Sequence, residues 1–436
     1  MTSRAPFDRL LESVLVAGGP QAVPPRVVEE ALVRARTVRQ RRPLVAAIDR
    51  RGWPSPGLLA ANPVNARLAT AGLVVLLLAA LVAVAVGVGS RLLREQSPLG
   101  LAWTATGAMF EARYQFSATL LPDGRVLAAG GGNTTDPTAG AEVYDPATGS
   151  WSSVADMTEA RAFHTATLLA DGTILVTGGG SGGANLASAE VFDPELGRWA
   201  VTSPMAEARS QHVAVLLSDG TVLVAGGTAG SDPSTVAEIY DPLTGAWTAT
   251  ERMADWRASP TIVLLDDGSV LVAGGFGRGI PLRSAERYDP ARGSWALTAS
   301  MQEPRVDDHS ATLLPDGTVL VAGGPRSSAE LYDPIAGTWA PTGPLLASIG
   351  GHTAILVPDG TVVVAGGIDG DRVALASAVS YDPRDRIWTV VAAMNEARQG
   401  GIALLLSDGT VMVVGGIGAS GAVLASAELL GPVPGS

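Results

Sequence analysis

A unit of about 48 residues recurs seven times beyond Gly100, and this repeat constrains the fold more than any other feature of the sequence. Each copy carries an Asp-Gly pair, a run rich in valine and leucine, a pair of glycines and a tryptophan. The Asp-Gly pairs begin at Asp123, Asp171, Asp219, Asp267, Asp316, Asp359 and Asp408. A fixed spacing of this kind indicates one supersecondary unit that covers its apolar flanks by stacking on the next copy. The chain beyond residue 100 is therefore expected to form one repeat array.

Together, the markers predict a four-stranded antiparallel sheet in each copy. Asp-Gly accepts the positive φ values of a two-residue type I′ turn, so we expect it to join the first strand to the second. The run that follows, such as residues 221–225, is apolar at successive positions, which is typical of a strand covered on both faces. The third strand, Ala-Glu-x-Tyr-Asp-Pro, ends at its proline before the tryptophan of the fourth. Seven such units predict an all-β, seven-bladed β-propeller.

In its glycine pair, its tyrosine and its tryptophan, the repeat resembles the kelch motif over roughly residues 101–432. Two copies depart from the pattern at the tyrosine, where Phe192 and Leu430 stand. The resemblance implies a kelch-type propeller at residues 102–432. Kelch propellers are far more alike in fold than in activity, so the resemblance leaves the function open.

The two ends of the repeat region complement each other. Trp103 precedes the first copy of the first strand, and the last copy stops after Leu430 without a tryptophan. We therefore expect Trp103 to supply the fourth strand of blade 7, which would close the ring and remove two open sheet edges.

Antiparallel alternation assigns the loops to two faces. The Asp-Gly and Asp-Pro turns share a lower face, where residues 91–101 are expected to enter as a linker, and the loops between the second and third strands share an upper face. The lower turns are nearly uniform, but the upper loops contain nine, nine, nine, nine, four, ten and ten residues. Variable loops are where a ligand would be recognised. Candidate ligand-binding residues there are Asn133, Asp136, Asn185, Asp232, Arg278, Arg326, Asp369 and Arg372.

Six blades carry an arginine before the first strand and a glutamate in the third. Blade 6 has lost both, with Ile349 and Val379 in their places. Joint loss favours six structural ion pairs over the alternative, an anion-binding ring of arginines. The expected pairs are Arg113 with Glu142, Arg161 with Glu190, Arg209 with Glu238, Arg257 with Glu286, Arg305 with Glu330, and Arg398 with Glu428.

All four histidines occupy one repeat position near the start of the first strand, at His164, His212, His309 and His352. Equivalent positions on different blades diverge around a ring, whereas metal ligands must converge on one point. Packing or hydrogen bonding is therefore expected, and we predict no metal site and no cofactor.

The sequence before the repeats predicts a membrane anchor. Residues 68–90 begin with 22 uncharged residues of which only Thr70 is polar, about 33 Å as a helix and enough to cross a hydrocarbon core of about 30 Å. The run lies too far from Met1 for a cleaved signal peptide, so a single-pass signal anchor is expected. Residues 1–67 hold eleven arginines against five acidic residues, which places the N-terminus in the cytoplasm and the propeller outside the cell membrane.

Within this basic tail, residues 26–42 predict one amphipathic helix, which would lie at the membrane surface or dock a cytoplasmic partner. From residue 92 onward, 18 arginines face 37 acidic residues. This surplus of negative charge argues against nucleic-acid binding by the propeller.

Three functions remain open at this point. The first is an interaction module that binds a protein or a glycan outside the membrane. The second is an enzyme on the upper face, such as one acting on carbohydrate, and the third is a sensor that signals through the tail. Copper oxidases of the galactose or glyoxal oxidase kind resemble this propeller but use a tyrosine crosslinked to cysteine, and the chain has no cysteine. No nucleophile and base stand out from the repeat, so no catalytic residue is predicted.

Overall fold

The computed structural model describes residues 101–432 except 134–135, 307–308, 325–326 and 346–349. These residues form an all-β, seven-bladed propeller, and none of them lies in a helix. The described part of the chain accordingly offers no helix that could cross a membrane. The predicted tail, the predicted transmembrane helix and residues 91–100 of the predicted linker lie outside the described residues.

Each blade is a four-stranded antiparallel sheet, with its strands in chain order in blades 1 to 6 and with the first strand of the chain completing blade 7. The first strand described is β1 (Leu101–Thr106). Blade 1 holds β2 (Ser117–Leu120), β3 (Val126–Ala129), β4 (Ala141–Asp145) and β5 (Ser150–Ser153). Blade 2 holds β6 (Thr165–Leu168), β7 (Ile174–Thr177), the short pair β8 (Gly180–Ser181) and β9 (Ala184–Asn185), β10 (Ala189–Asp193) and β11 (Arg198–Thr202). Blade 3 holds β12 (Val213–Leu216), β13 (Val222–Ala225), the short pair β14 (Thr228–Ala229) and β15 (Asp232–Pro233), β16 (Ala237–Asp241) and β17 (Ala246–Ala249).

The remaining blades follow the same order. Blade 4 holds β18 (Thr261–Leu264), β19 (Val270–Ala273), the short pair β20 (Phe276–Gly277) and β21 (Ile280–Pro281), β22 (Ala285–Asp289) and β23 (Ser294–Leu297). Blade 5 holds β24 (Ser310–Leu313), β25 (Val319–Ala322), β26 (Ala329–Asp333) and β27 (Thr338–Pro341). Blade 6 holds β28 (Gly350–Leu356), β29 (Val362–Ile368), β30 (Ala378–Asp382) and β31 (Ile387–Val391). Blade 7 holds β32 (Ile402–Leu405), β33 (Val411–Val414), β34 (Ala427–Pro432) and β1.

The seven first strands form the innermost ring of the propeller. Each contacts the first strands of both neighbouring blades, and β2 meets β32 to complete the circle. The second strands are buried on both faces, as their unbroken apolar sequences predict, and every residue of β13 is inaccessible to solvent. Burial of each such aliphatic side chain stabilises the fold by about 1.5–3 kcal/mol.

The hydrophobic core lies between blades rather than within them. One cluster, for example, joins Val126 and Tyr144 of blade 1 to Met412 and Val414 of blade 7. The tyrosine and tryptophan of the motif stack across the third and fourth strands with tilted rings, and the centroids of Tyr240 and Trp247 are 5.0 Å apart. A single blade cannot cover both of its faces, so stability depends on the complete ring.

Ring closure follows the predicted arrangement. β1 pairs antiparallel with β34, and Trp103 lies opposite Leu430. The Trp103 side chain is buried, and its Nε1 donates a hydrogen bond to the carbonyl of Ala392 in blade 6 at 2.8 Å. The two ends of the propeller sequence therefore build one sheet, and Leu101 lies at its lower end beside Pro432.

The Asp-Gly hairpins form as predicted, but the type I′ turn assigned to them is wrong. In blade 3 the Gly220 amide donates to the carbonyl of Leu217 at 3.0 Å, and Gly220 has φ of 87°. Asp219 is absent from the described residues with positive φ. This is the geometry of a type I turn followed by a glycine bulge. The aspartate has a different role, because its Oδ1 accepts the amide of Thr221 at 3.0 Å.

In blades 1 to 4, 6 and 7, close packing against the next blade requires the first glycine of the pair. A Cβ on Gly178 would lie 2.5 Å from the carbonyl oxygen of Arg209 and 2.8 Å from Cε1 of His212. Both atoms belong to the next blade, so the glycine sets how closely two blades approach.

We expect Gly178→Ala to lower the free energy of unfolding by about 2–4 kcal/mol, since positive φ and overpacking both oppose the new Cβ. Gly182→Ala is a matched control, because Gly182 has φ of 56° against 59° for Gly178 but no atom within 4 Å of its Cβ position. The control is expected to cost about 1–2 kcal/mol. Urea unfolding of the full-length variants measures both changes, and equal losses would contradict the packing role.

Candidate interaction face

Two sets of loops form the upper face of the propeller. One set joins the second strand of each blade to the third, and the other joins the fourth strand of one blade to the first strand of the next. In blades 2, 3 and 4 the first set folds into the short hairpins β8–β9, β14–β15 and β20–β21. The equivalent loop of blade 5 has only four residues between Gly324 and Ala329.

In each of six blades the arginine before the first strand contacts the glutamate of the third strand of the same blade, with N–O distances from 2.6 to 3.1 Å. Both side chains of every pair are buried, the most accessible reaching only 2% exposure. The pairs are Arg113–Glu142, Arg161–Glu190, Arg209–Glu238, Arg257–Glu286, Arg305–Glu330 and Arg398–Glu428.

Blade 1 shows what such a pair holds together. Nη1 of Arg113 donates to the carbonyls of Gly130 and Gly140 at 2.8 Å each, which ties the guanidinium to the loop after the second strand. Oε2 of Glu142 accepts the amide of Phe110 at 2.6 Å, which ties the carboxylate to the loop from the preceding blade. Each ion pair therefore joins the two kinds of upper loop.

A second carboxylate contacts Arg113, Arg161, Arg209, Arg257 and Arg398, and the sequence analysis missed it. We call these residues the outer acids: Glu111, Glu159, Glu207, Asp255 and Glu396. They lie 3.1–3.7 Å from the guanidinium and are 31–52% exposed. Their signal is present in the sequence, because each stands two residues before its arginine and blade 6 has Ala347 instead. One arginine with two carboxylates leaves the upper edge of these blades negatively charged.

The covered guanidinium groups do not form a surface ring that could bind an anion. Burial lowers the pKa of Arg209, Arg257 and Arg305 below that of a free guanidinium, and the paired glutamates act in the opposite direction. Their N–H groups donate hydrogen bonds to carbonyl groups of their own blades. In blade 6 the glutamate position holds Val379, which is buried in an apolar cluster, and Ile349 lies outside the described residues.

The four histidines connect neighbouring blades. Nε2 of His164 lies 2.9 Å from Oγ of Ser117, and Nε2 of His352 lies 3.0 Å from Oγ of Ser310. His212 contacts Oγ1 of Thr165 at 3.0 Å in the same way, and His309 lies 3.2 Å from the carbonyl of Ala273. In every case the partner belongs to the preceding blade, so the rings serve as bridges between blades.

Family comparison agrees with this architecture. The model of the kelch motif matches residues 113–158, 161–206, 209–253, 263–302 and 350–395, about half of the chain. The chain belongs to the kelch-repeat family. No curated protein matches this kelch propeller in sequence. Among solved structures it is similar to a fungal alcohol oxidase in complex with copper, with a TM-score of 0.62, 21% identity and 76% coverage of each chain. At this identity the similarity extends to the fold alone.

The described part of this kelch propeller does not fit a copper centre. Its histidines lie on separate blades, and their Nε2 atoms are engaged by the preceding blade. No group of three or more histidine, cysteine, aspartate or glutamate side chains within residues 101–432, so far as they are described, is placed to hold a metal ion. The chain also has no cysteine for a crosslinked tyrosine.

The predicted ligand-binding residues separate into two groups. Asn185 serves the fold, since its Nδ2 donates to the carbonyls of Thr228 and Gly230 in the next hairpin at 2.7 and 3.2 Å. Asp369 caps its own turn by accepting the amide of Val373 at 2.9 Å.

Exposed positions make up the second group. Asp232, Arg278 and Arg372 are exposed on upper loops, and both arginines adopt positive φ, 48° and 63°. Asn133 and Asp136 are exposed on the loop of blade 1, where Asn133 Oδ1 accepts the Asp136 amide at 2.8 Å. Arg326 lies outside the described residues.

The histidine bridges predict how stability depends on pH. Burial, reinforced by nearby arginines, lowers the pKa of His164, His212 and His309 to about 3 and that of His352 to about 4. The folded state therefore takes up no proton on these rings between pH 7 and pH 5, whereas the unfolded chain does below about pH 6.5. Stability is expected to fall as pH decreases through this window, with each histidine contributing at most about 1.4 kcal/mol per pH unit.

The urea midpoint of the full-length protein, measured from pH 7 to pH 5, tests this dependence. His212→Gln retains a polar side chain but removes the titration, so its stability is expected to fall less steeply with decreasing pH than that of the wild type. Identical slopes for the two proteins would show that His212 is not the source.

Proposed function

We propose that this kelch propeller is a membrane-tethered interaction protein whose upper loops bind a protein partner outside the cell membrane. The observation that carries the proposal is the contrast between its two faces. The lower turns repeat one geometry, with an aspartate that caps each Asp-Gly turn. The upper loops differ from blade to blade in length and composition, and buried ion pairs hold them in place. Rigidly held, variable loops are typical of recognition surfaces.

The tether is the second part of the proposal. It is supported by the uncharged run in residues 68–90 and by the arginine-rich sequence before it. The lower position of Leu101 favours an arrangement in which the upper face points away from the membrane. Fractionation of cells that express the full-length chain is expected to recover it in membranes after alkaline washing. Recovery of the intact chain in the soluble fraction would contradict the tether.

Partner binding is tested with the full-length chain, crosslinked in membranes of its own cells and purified by an affinity tag. Two matched triple variants distinguish the faces. The upper-face variant combines Asp232→Ala, Arg278→Gly and Arg372→Gly, in which the glycines relieve positive φ. The lower-face control combines Leu196→Ser, Leu243→Ser and Ile335→Ser, all exposed at lower turns.

One protein recovered with the wild type and the control, but lost from the upper-face variant, is the expected result. Loss from the lower-face control alone would contradict the assignment of the face. If the wild type binds to a glycan array and the upper-face variant does not, the partner is a glycan rather than a protein.

A further inference from the structure

The upper loops of blade 4 differ in charge from those of the blades before it. The upper loops of blades 1, 2 and 3, counted together with the glutamate of each ion pair, each carry one arginine against three carboxylates. Blade 4 carries four arginines against three carboxylates in the same segments. Its additional arginines are Arg252, Arg278 and Arg283, and all three are exposed. A positive area therefore interrupts an otherwise acidic face.

Apolar side chains accompany this positive charge. We call Trp256, Phe276, Arg278 and Ile280 the blade 4 patch. The guanidinium carbon of Arg278 lies 5.2 Å from the centroid of the Trp256 ring, within the range of a cation–π contact. Phe276 and Ile280 are 38% and 61% exposed. Arg278 holds φ of 48° at the tip of β20–β21, a conformation that costs a non-glycine residue energy.

The patch has no equivalent in the repeat. At the position of Trp256 the other blades with an ion pair have alanine or proline, as at Ala112, Ala160 and Pro304. The repeat fold therefore does not require the tryptophan. Trp and Arg are the residue types that most often dominate binding energy at protein interfaces.

The hairpin of blade 4 precedes the shortest upper loop of the propeller. In blade 2, Asn185 on the outgoing strand of the hairpin reaches Thr228 and Gly230 in the hairpin of blade 3. Pro281 occupies the same place in the hairpin of blade 4, but the loop of blade 5 is five residues shorter than that of blade 4. With four residues this loop is shorter than the nine-residue loop that forms β14–β15 in blade 3, and Pro281 has no side-chain donor to make the contact that Asn185 makes.

We propose that the blade 4 patch binds an acidic segment of the protein partner that also carries an apolar side chain. Carboxylates of the segment contact Arg278, Arg252 and Arg283, and the apolar side chain packs between Phe276 and Ile280 beside blade 5. The surplus of carboxylates on the upper loops of blades 1, 2 and 3 repels such a segment, which favours its binding at blade 4 over those three blades. This inference rests on the proposed function of the upper face and specifies the chemistry of its partner.

The test measures fluorescence anisotropy of three short labelled peptides with the full-length chain in detergent. One peptide alternates glutamate and glycine around a central leucine, one lacks the leucine, and one has arginine in place of glutamate. The first is expected to bind about tenfold more tightly than either of the others, and high salt is expected to reduce its advantage over the arginine peptide. Equal affinity for all three peptides would overturn the proposal.

Variants of matched geometry localise the binding. Arg278→Glu is expected to weaken binding of the acidic leucine peptide about tenfold or more, because one charge is reversed. Arg386→Glu is the control, since Arg386 is also an exposed arginine of positive φ but lies in a lower turn, in blade 6. Equal losses from both variants, or none from Arg278→Glu, would contradict binding at blade 4.

Recovery of the natural partner with each variant distinguishes failure of this inference from failure of the proposed function. Loss of that partner on Phe276→Ser with Arg278→Glu supports the blade 4 patch. Loss only on Asp232→Ala with Arg372→Gly leaves the upper face as the binding surface but overturns the role of blade 4. Retention by all upper-face variants overturns the proposed function itself.

Discussion

Glu238→Ala is expected to lower the free energy of unfolding by about 3–5 kcal/mol, because it leaves the buried charge of Arg209 without its partner. Nη2 of Arg209 lies 2.6 Å from Oε1 of Glu238, and the two side chains are 0% and 1% exposed. The same carboxylate accepts the amide of Ala206 at 2.7 Å, so its removal also frees the loop that enters blade 3. Urea unfolding of the full-length protein measures the loss.

Glu207→Ala is the matched control for this change. Glu207 also contacts Arg209, at 3.5 Å, but it is 31% exposed, against 1% for Glu238, and keeps part of its hydration. Its removal is expected to cost about 1 kcal/mol or less. A loss of similar size for Glu207→Ala and Glu238→Ala would contradict the view that burial, rather than proximity, sets the energy of the pair.

Blade 6 suggests how the charge can be removed with less damage. The double variant Arg209→Ile with Glu238→Val copies the residues of blade 6 into blade 3. In blade 6, Val379 is the buried equivalent of Glu238. Because no charge is then left unpaired, the double variant is expected to be more stable than the sum of the two single losses predicts, by about 1 kcal/mol or more. A purely additive result would mean that the two side chains are not coupled.

A disulfide between Ala102→Cys and Gly431→Cys is expected to raise the stability of the propeller by several kcal/mol, up to about 5. Ala102 and Gly431 are directly opposite in the β1–β34 pair, where Cα atoms lie about 4.5–5.5 Å apart. That separation suits a disulfide. The bond would join the two ends of the propeller sequence, and the longer the closed loop, the larger the loss of unfolded-state entropy.

The site tolerates the substitution. A Cβ on Gly431 would meet Thr410 at 3.8 Å, an ordinary contact. The chain has no cysteine of its own, so the introduced pair has no competing thiol within the molecule. Oxidised monomer is expected to migrate faster than reduced monomer on a denaturing gel and to unfold at higher urea.

Each single-cysteine variant serves as a control for the paired one. Crosslinked dimers without an internal disulfide, or an unchanged urea midpoint after complete oxidation, would contradict closure of the ring by β1 and β34.

The sequence alone predicted the fold of residues 101–432 in most respects, because the repeat is a local pattern. Alternating turns and apolar runs specify a four-stranded unit, and a unit that cannot cover its own faces must stack. The lone Trp103 even indicated which strand closes the ring. The joint loss of charge at Ile349 and Val379 indicated the ion pairs, since paired positions that change together imply a shared role.

The type of the Asp-Gly turn and the contacts of the outer acids could not be predicted from the sequence, because both depend on how neighbouring segments of backbone fold. Asp-Gly is compatible with both a two-residue turn and a glycine bulge, and the hydrogen bond from the Gly220 amide to the Leu217 carbonyl distinguishes them. The outer acids were missed because glutamate two residues before arginine, as in Glu207, is also ordinary surface sequence. Only the folded loop brings its carboxylate to the guanidinium.

What the sequence by itself determined is the number, order and closure of the blades, since these follow from periodic side chains acting on their own strands. What only the tertiary structure decided is which loop residues hold the fold and which remain exposed. Asn185 and Arg278 look alike as polar residues of variable loops. Asn185, however, is bonded to the next hairpin, whereas Arg278 lies exposed over Trp256 beside a shortened loop. That difference depends on what the neighbouring blade provides, and no single repeat contains it.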